Sequence, residues 1–152
     1  MSVLVFVMVG LALWHFAVLV PDRFRGGVIG ALWALGVIAE IALFALSVRL
    51  PSTITPLALM LVGAAGAAVR WSVMTTAPSV ILLPALQCLH AFSFGTTHLG
   101  ALAFVSRMAP PGAAATAQGY FAVALGATMA VATALAGVLY GRFGSGAYAA
   151  MA

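Results

Sequence analysis

The sequence predicts an all-α membrane protein with about five complete transmembrane helices and the start of a sixth, and two observations predict it. Apolar residues make up 65% of the 152 and charged residues 5%, whereas a soluble domain has about 45–50% and about 25%. Polar, proline and glycine clusters also interrupt the apolar runs at intervals close to the roughly 20 helical residues that cross a hydrocarbon core of about 30 Å.

The first predicted span covers residues 3–20 and stops at PDRFRGG; the second, 28–48, stops at Arg49-Leu50-Pro51. The third runs over 54–75 and the fourth over 80–107, and the Pro110 to Gly112 turn separates them from the fifth, 114–140. After Gly-Arg-Phe-Gly at 141–144, a new apolar stretch over 146–152 reads as the start of a truncated span. The opening segment lacks the basic n-region and small-residue cleavage pattern of a signal peptide, so it reads as retained. No connection is long enough for a soluble domain, which makes residues 1–152 a single membrane domain and puts all function inside the bilayer.

The net charge of +4 arises from six arginines, no lysine and the two acids Asp22 and Glu40. The arginines fall mostly at the ends of apolar runs, as interface and topology anchors do, so nucleic acid is not an expected partner. Connections one, three and five carry Arg23, Arg25 and Arg142, against Arg49 and Arg107 on two and four, and this count sets no orientation by itself. The lone Cys88 excludes an internal disulfide and reads as a small buried hydrophobe.

The chemistry lies in polar residues at membrane depth, because an ionised side chain near the bilayer centre costs about 2.5–3.5 kcal/mol on insertion scales and therefore faces a bundle interior. Glu40 lies in the middle of GVIAEIALFAL, about eight residues from the nearer end of its span. Arg70 follows Gly63 and Gly66 near the far end of the third span. In the fourth, Gln87, His90, Ser93, Thr97 and His98 share an arc of roughly 140° at about 100° per residue, a polar stripe on one side of a helix. His90 and His98 are separated by about 12 Å of helical rise and no third ligand stands at a suitable spacing, so neither a metal nor another cofactor is expected. No nucleophile and base are paired in a way that suggests an enzyme.

An acid, a base and a histidine-bearing stripe on successive spans suggest a proton- or ion-coupled translocation pathway. In that reading Glu40 carries the proton, and making or breaking a Glu40–Arg70 pair couples protonation to a conformational switch. A second reading is a small non-transporting membrane subunit or assembly factor, in which Glu40 and Arg70 form a structural interhelical pair. The small residues Gly119, Ala122, Gly126, Ala130 and Ala134, with Gly137 and Gly141, predict close packing of the fifth span.

Several stretches carry a family resemblance. Leu32-Trp33, Leu35-Gly36-Val37, Ala39-Glu40 and Phe44-Ala45-Leu46-Ser47 resemble the eighth helix of phenylpropionate permease-like members of the major facilitator superfamily. Val69-Arg70-Trp71 is similar to their ninth helix; Gln87, Leu89-His90, Phe94, His98-Leu99 and Ala101 to their tenth; and Gln118, Ala136-Gly137, Leu139-Tyr140 and Gly144 to their eleventh. The resemblance covers about residues 28–152. It implies the carboxy-terminal six-helix half of a twelve-helix secondary transporter whose halves rock about a central cavity. The expected partners are then a small-molecule substrate and a proton, the lipid bilayer, and a missing amino-terminal half or partner subunit, in a bacterial inner membrane.

In the related lactose permease branch, an arginine and a histidine at places similar to Arg70 and His90 belong to the proton and sugar machinery. The resemblance gives these two residues weight beside Glu40, Gln87 and His98. It also places Arg49 and Arg107 on the cytoplasmic side. The chain departs from that branch at Ser93, where lactose permease has an acid, and a sugar substrate is not implied. Residues 1–25 do not read like the seventh helix of the family, and 146–152 look like the beginning of the twelfth.

Overall fold

The computed structural model describes residues 22–150, which form four long α-helices and no strand. Helix α1 (Asp22–Ser47) is followed by α2 (Pro56–Thr75), a short 3-10 turn (Val80–Leu82), α3 (Leu83–Met108), α4 (Ala114–Phe143) and a closing 3-10 segment (Gly144–Ala150). The predicted span over 3–20 lies outside the described residues. The other four predicted spans are all helical, and Gly26–Ser47, Pro56–Thr75, Leu83–Met108 and Ala114–Ala150 are each long and apolar enough to cross a membrane.

Local chemistry sets the boundaries. The hydroxyl of Thr55 accepts from the Ala58 backbone N–H at 3.1 Å and Pro56 takes the first helical turn, the arrangement that satisfies otherwise orphaned donors. Beyond α2, Ala77 adopts a positive φ of 49° before Pro78 and the 3-10 turn leads into α3. Helix α1 begins six residues before the predicted 28, drawing DRFRGG into its first turns.

The expected start of a new α-helix near 146 takes another form. Residues Gly144–Ala150 wind as a 3-10 segment behind Gly144, whose φ of 53° suits glycine. Ala147 and Tyr148 of that segment are buried, and it packs on α2 and α4.

Helix α3 is the hub, touching α1, α2 and α4. It runs antiparallel to α2, because a Cβ on Gly100 would meet the backbone oxygen of Pro56 at 2.6 Å while Gly66 lies beside Phe92 and Ser93. It runs parallel to α1, because Gly36 lies against Gln87 whereas Leu43 and Phe44 lie against Gly95. Leu32, Trp71, Met74, Leu83, Leu86 and Tyr148 belong to the apolar core near the end where α2 finishes and α3 starts.

Two packing expectations need correction. The small residues of α4 do not mediate close packing among the described residues: an added Cβ on Gly119, Gly126, Gly137 or Gly141 meets nothing within 4 Å, and only Ala132 and Ala136 of α4 are buried. Close approach falls instead to Gly63 and Gly100 between α2 and α3 and to Gly95 beneath Leu43 of α1. Cys88 is exposed, since it stands on a side of α3 that no other described helix covers.

Candidate functional site

The buried face of α2 comprises Gly63, Ala67, Arg70, Trp71 and Met74, positions three, four and seven apart that a helix brings to one side. Gly63 lets that face lie close against α3, and one helical repeat later the same face carries Arg70 into the seam. There Arg70 is 1% exposed and its Nη1 donates to Nδ1 of His90 at 2.8 Å, with His90 itself buried. A guanidinium has only donors, so Nδ1 is an acceptor and the imidazole proton of the neutral ring resides on Nε2. The pair cannot survive protonation of Nδ1 without rearranging. The second guanidinium nitrogen, Nη2, is buried and has no hydrogen-bond partner among the described residues.

Aromatic rings wall the guanidinium. Its Cζ lies 4.3 Å from the centroid of the Trp71 ring, within cation–π range. Tyr148 stacks on Trp71 with centroids 5.8 Å apart and planes 20° apart, and Tyr140 lies 6.1 Å from Tyr148. The closing 3-10 segment thus holds Trp71 in place, and Trp71 in turn backs Arg70. Replacing Tyr148 by leucine keeps the burial and removes the stack, with an expected loss of about 1 kcal/mol and a changed near-ultraviolet circular dichroism spectrum. An unchanged spectrum would count against the stack.

Among the polar residues expected on α3, the stripe turns inward and divides between seams. Gln87 is buried and its Oε1 would lie 3.5 Å from a Cβ placed on Gly36 of α1. Ser93 donates to the carbonyl of His90 at 3.0 Å, and Thr97 to that of Ser93 at 2.7 Å, so both hydroxyls are used within their own helix. His98 sits among three rings: Phe94 stacked at 5.5 Å, Phe121 of α4 at 6.1 Å and Phe44 of α1 at 6.4 Å. Phe94 also stacks on His90 at 5.9 Å, which links the two histidines through one ring along α3.

Glu40 is half-buried on α1. It lies between Gly36, which faces Gln87, and Leu43, which covers Gly95, so it stands at the height of His90 and Ala91 on α3. Its Oε1 is buried and accepts no hydrogen bond from the described residues. The expected Glu40–Arg70 pair is not formed in this conformation, because α2 presents Arg70 to a different side of α3 from the one that α1 covers. The structure therefore joins Arg70 to His90, joins His90 to His98 through Phe94, and leaves Glu40 at the same depth on a neighbouring seam.

Tyr148 was not among the expected site residues, because SGAYAAMA carries no periodicity that marks it. The ring trio around His98 was likewise not derivable from single-helix spacing, since Phe44, Phe94 and Phe121 come from two other helices and from α3 itself.

The chain matches the family model described as the MFS_1-like family over residues 2–150. It is also similar to the probable 3-phenylpropionic acid transporter of Escherichia coli (strain K12), with 33% identity over 129 residues, 85% of this chain and 34% of the relative. The chain thus spans about a third of the length of that curated relative. No solved structure matches it. A family match across nearly the whole chain, joined to four membrane-length helices with polar residues turned into their seams, shows that the chain belongs to the MFS_1-like family of the major facilitator superfamily.

Proposed function

We propose that this chain is the carboxy-terminal part of a proton-coupled secondary transporter for a small solute, with Glu40, Arg70 and His90 in the coupling pathway and Gln87 and His98 beside it. One observation carries the reading. A guanidinium almost completely withdrawn from solvent is bonded to a neutral histidine, and its Nη2 has no partner among the described residues, a costly arrangement to keep in a membrane unless it is used. Glu40, with a buried and unpartnered Oε1 at the same depth, is the group available to take and release a proton. Removing a proton from Glu40 produces an anion at the depth of a cation that lacks one acceptor among the described residues, which favours a conformation bringing the two together.

The substrate class we infer is a small aromatic carboxylate, following the relative that carries 3-phenylpropionic acid in its name. The rings around His98 suit such a solute. The rest of a longer polypeptide or a partner subunit would complete the cavity, and a bacterial inner membrane is the expected setting. The alternative of a non-transporting subunit needs a structural Glu40–Arg70 pair, and the Arg70–His90 bond takes up the arginine instead.

The test is uptake of labelled 3-phenylpropionic acid into vesicles that carry the complete transporter, driven by an imposed proton gradient. Glu40→Gln is expected to abolish gradient-driven accumulation while exchange of internal for external substrate persists. Undiminished accumulation by that variant would overturn the assignment of Glu40.

A further inference from the structure

A pocket of about 420 Å³ opens between the second half of α1, the start of α2 and the middle of α3, with Leu43, Leu46, Leu50, Ile54, Leu59 and Phe92 among its walls. Its volume falls in the range of small-ligand sites, about 300–1,000 Å³. Among the described residues, the hydroxyls on its lining belong to Ser47 and Thr96. Both are committed to their own helices, Ser47 to the Phe44 carbonyl at 2.7 Å and Thr96 to the Phe92 carbonyl at 2.8 Å. Water finds no partners there, and an empty void would forfeit packing along all three helices.

The position of the pocket selects its occupant. Its α3 wall runs from Phe92 to Leu99, about 10 Å at 1.5 Å per residue, which fits within one leaflet of a core about 30 Å thick. Its outer end is Leu50, in the turn that follows α1, and the neighbouring Arg49 is exposed. The same end of the bundle carries the start of α2 and the end of α3 with Arg107. An apolar slot at leaflet depth, with an exposed cation one residue from its outer end in the chain, has the polarity of a phospholipid standing upright: tail below, phosphate above.

We propose that this pocket binds one acyl chain of an anionic glycerophospholipid whose headgroup phosphate is held by Arg49. Filling a void drives occupancy, because lipid tails gain nothing by leaving one apolar phase for another. Arg49 supplies the preference for negative headgroups.

Native mass spectrometry of the chain released from bilayers containing equal phosphatidylglycerol and phosphatidylethanolamine tests it. The expected result is one retained phosphatidylglycerol. Ala58→Phe, which fills the pocket, should weaken retention about tenfold; Arg49→Gln should erase the preference between the two lipids. Ala127→Phe, on the exposed flank of α4, should change neither. Equal retention of both lipids by the unaltered chain, or no loss with Ala58→Phe, would overturn the proposal. A phosphatidylglycerol with a photoreactive tail gives a second readout that needs no variant. Cross-links within 92–99 support the site, whereas cross-links confined to α4, or protection of the pocket by residues 1–20, reject it.

Discussion

Replacing His90 by leucine is expected to destabilise the folded chain by about 3 kcal/mol, because it strands the Arg70 guanidinium. Arg70 is 1% exposed, Nη1 has its acceptor in Nδ1 of His90 at 2.8 Å, and Nη2 already has none. With the imidazole removed, a cation stays buried without any side-chain acceptor among the described residues, and leaving a buried donor unsatisfied costs about 1–3 kcal/mol, more when the group is charged. The joint variant Arg70→Met with His90→Leu removes the charge together with its acceptor. It is expected to recover most of the loss, since a well-packed apolar replacement of a buried pair is often neutral. Unfolding in mixed micelles of the unaltered chain, both single variants and the double variant closes the cycle. Additive effects would mean that the bond contributes nothing to the fold.

Gly63→Ala is the second large effect, with an expected cost of about 2–3 kcal/mol. A Cβ there would collide with the Thr97 hydroxyl, would lie 2.6 Å from the Thr96 hydroxyl, and would lie 2.7 Å from the backbone oxygen of Ser93. Neither threonine can yield freely, since each donates within α3, Thr96 to the Phe92 carbonyl and Thr97 to the Ser93 carbonyl. A backbone oxygen yields only if α3 itself moves. Gly126→Ala provides the comparison, because nothing lies within 4 Å of its added Cβ and a helical glycine to alanine change gains about 0.5–1 kcal/mol where space allows. Thermal unfolding of the two variants side by side should therefore move in opposite directions. A Gly63→Ala variant as stable as Gly126→Ala would show that the α2–α3 seam has slack.

Four of the predicted spans were legible because a bilayer imposes a length, and runs of apolar residues broken by Pro51, Pro110 and Gly112 meet it. The site residues were legible one at a time, because arginine, glutamate and histidine are expensive in lipid wherever they fall. Their pairing was not legible. Charge complementarity favoured Glu40 with Arg70, but the register of α2 on α3 is fixed where Gly63 and Gly100 let two backbones approach. That register delivers Arg70 to His90. Small residues alone did not reveal which glycines would be used: α4 has the more regular run of them, yet α2 and α3 have the contacts. Tyr148 was hidden for a different reason, because a 3-10 segment has no apolar period of 3.6 to betray the side that folds inward.

The bareness of α4 bears on how firmly that helix is held. Apart from Ala132 and Ala136, its residues are partly or fully exposed, with Tyr120 at 74% and Val123 at 72%. Helices α2 and α3 already form the Arg70–His90 bond, and the glycine seams lie among α1, α2 and α3. Few contacts therefore hold α4 to the rest: Phe121 beside His98, two buried alanines and the segment that carries Tyr148. Its outer flank stays uncovered by the other described helices, an apolar surface with the chemistry of a lipid- or helix-facing side.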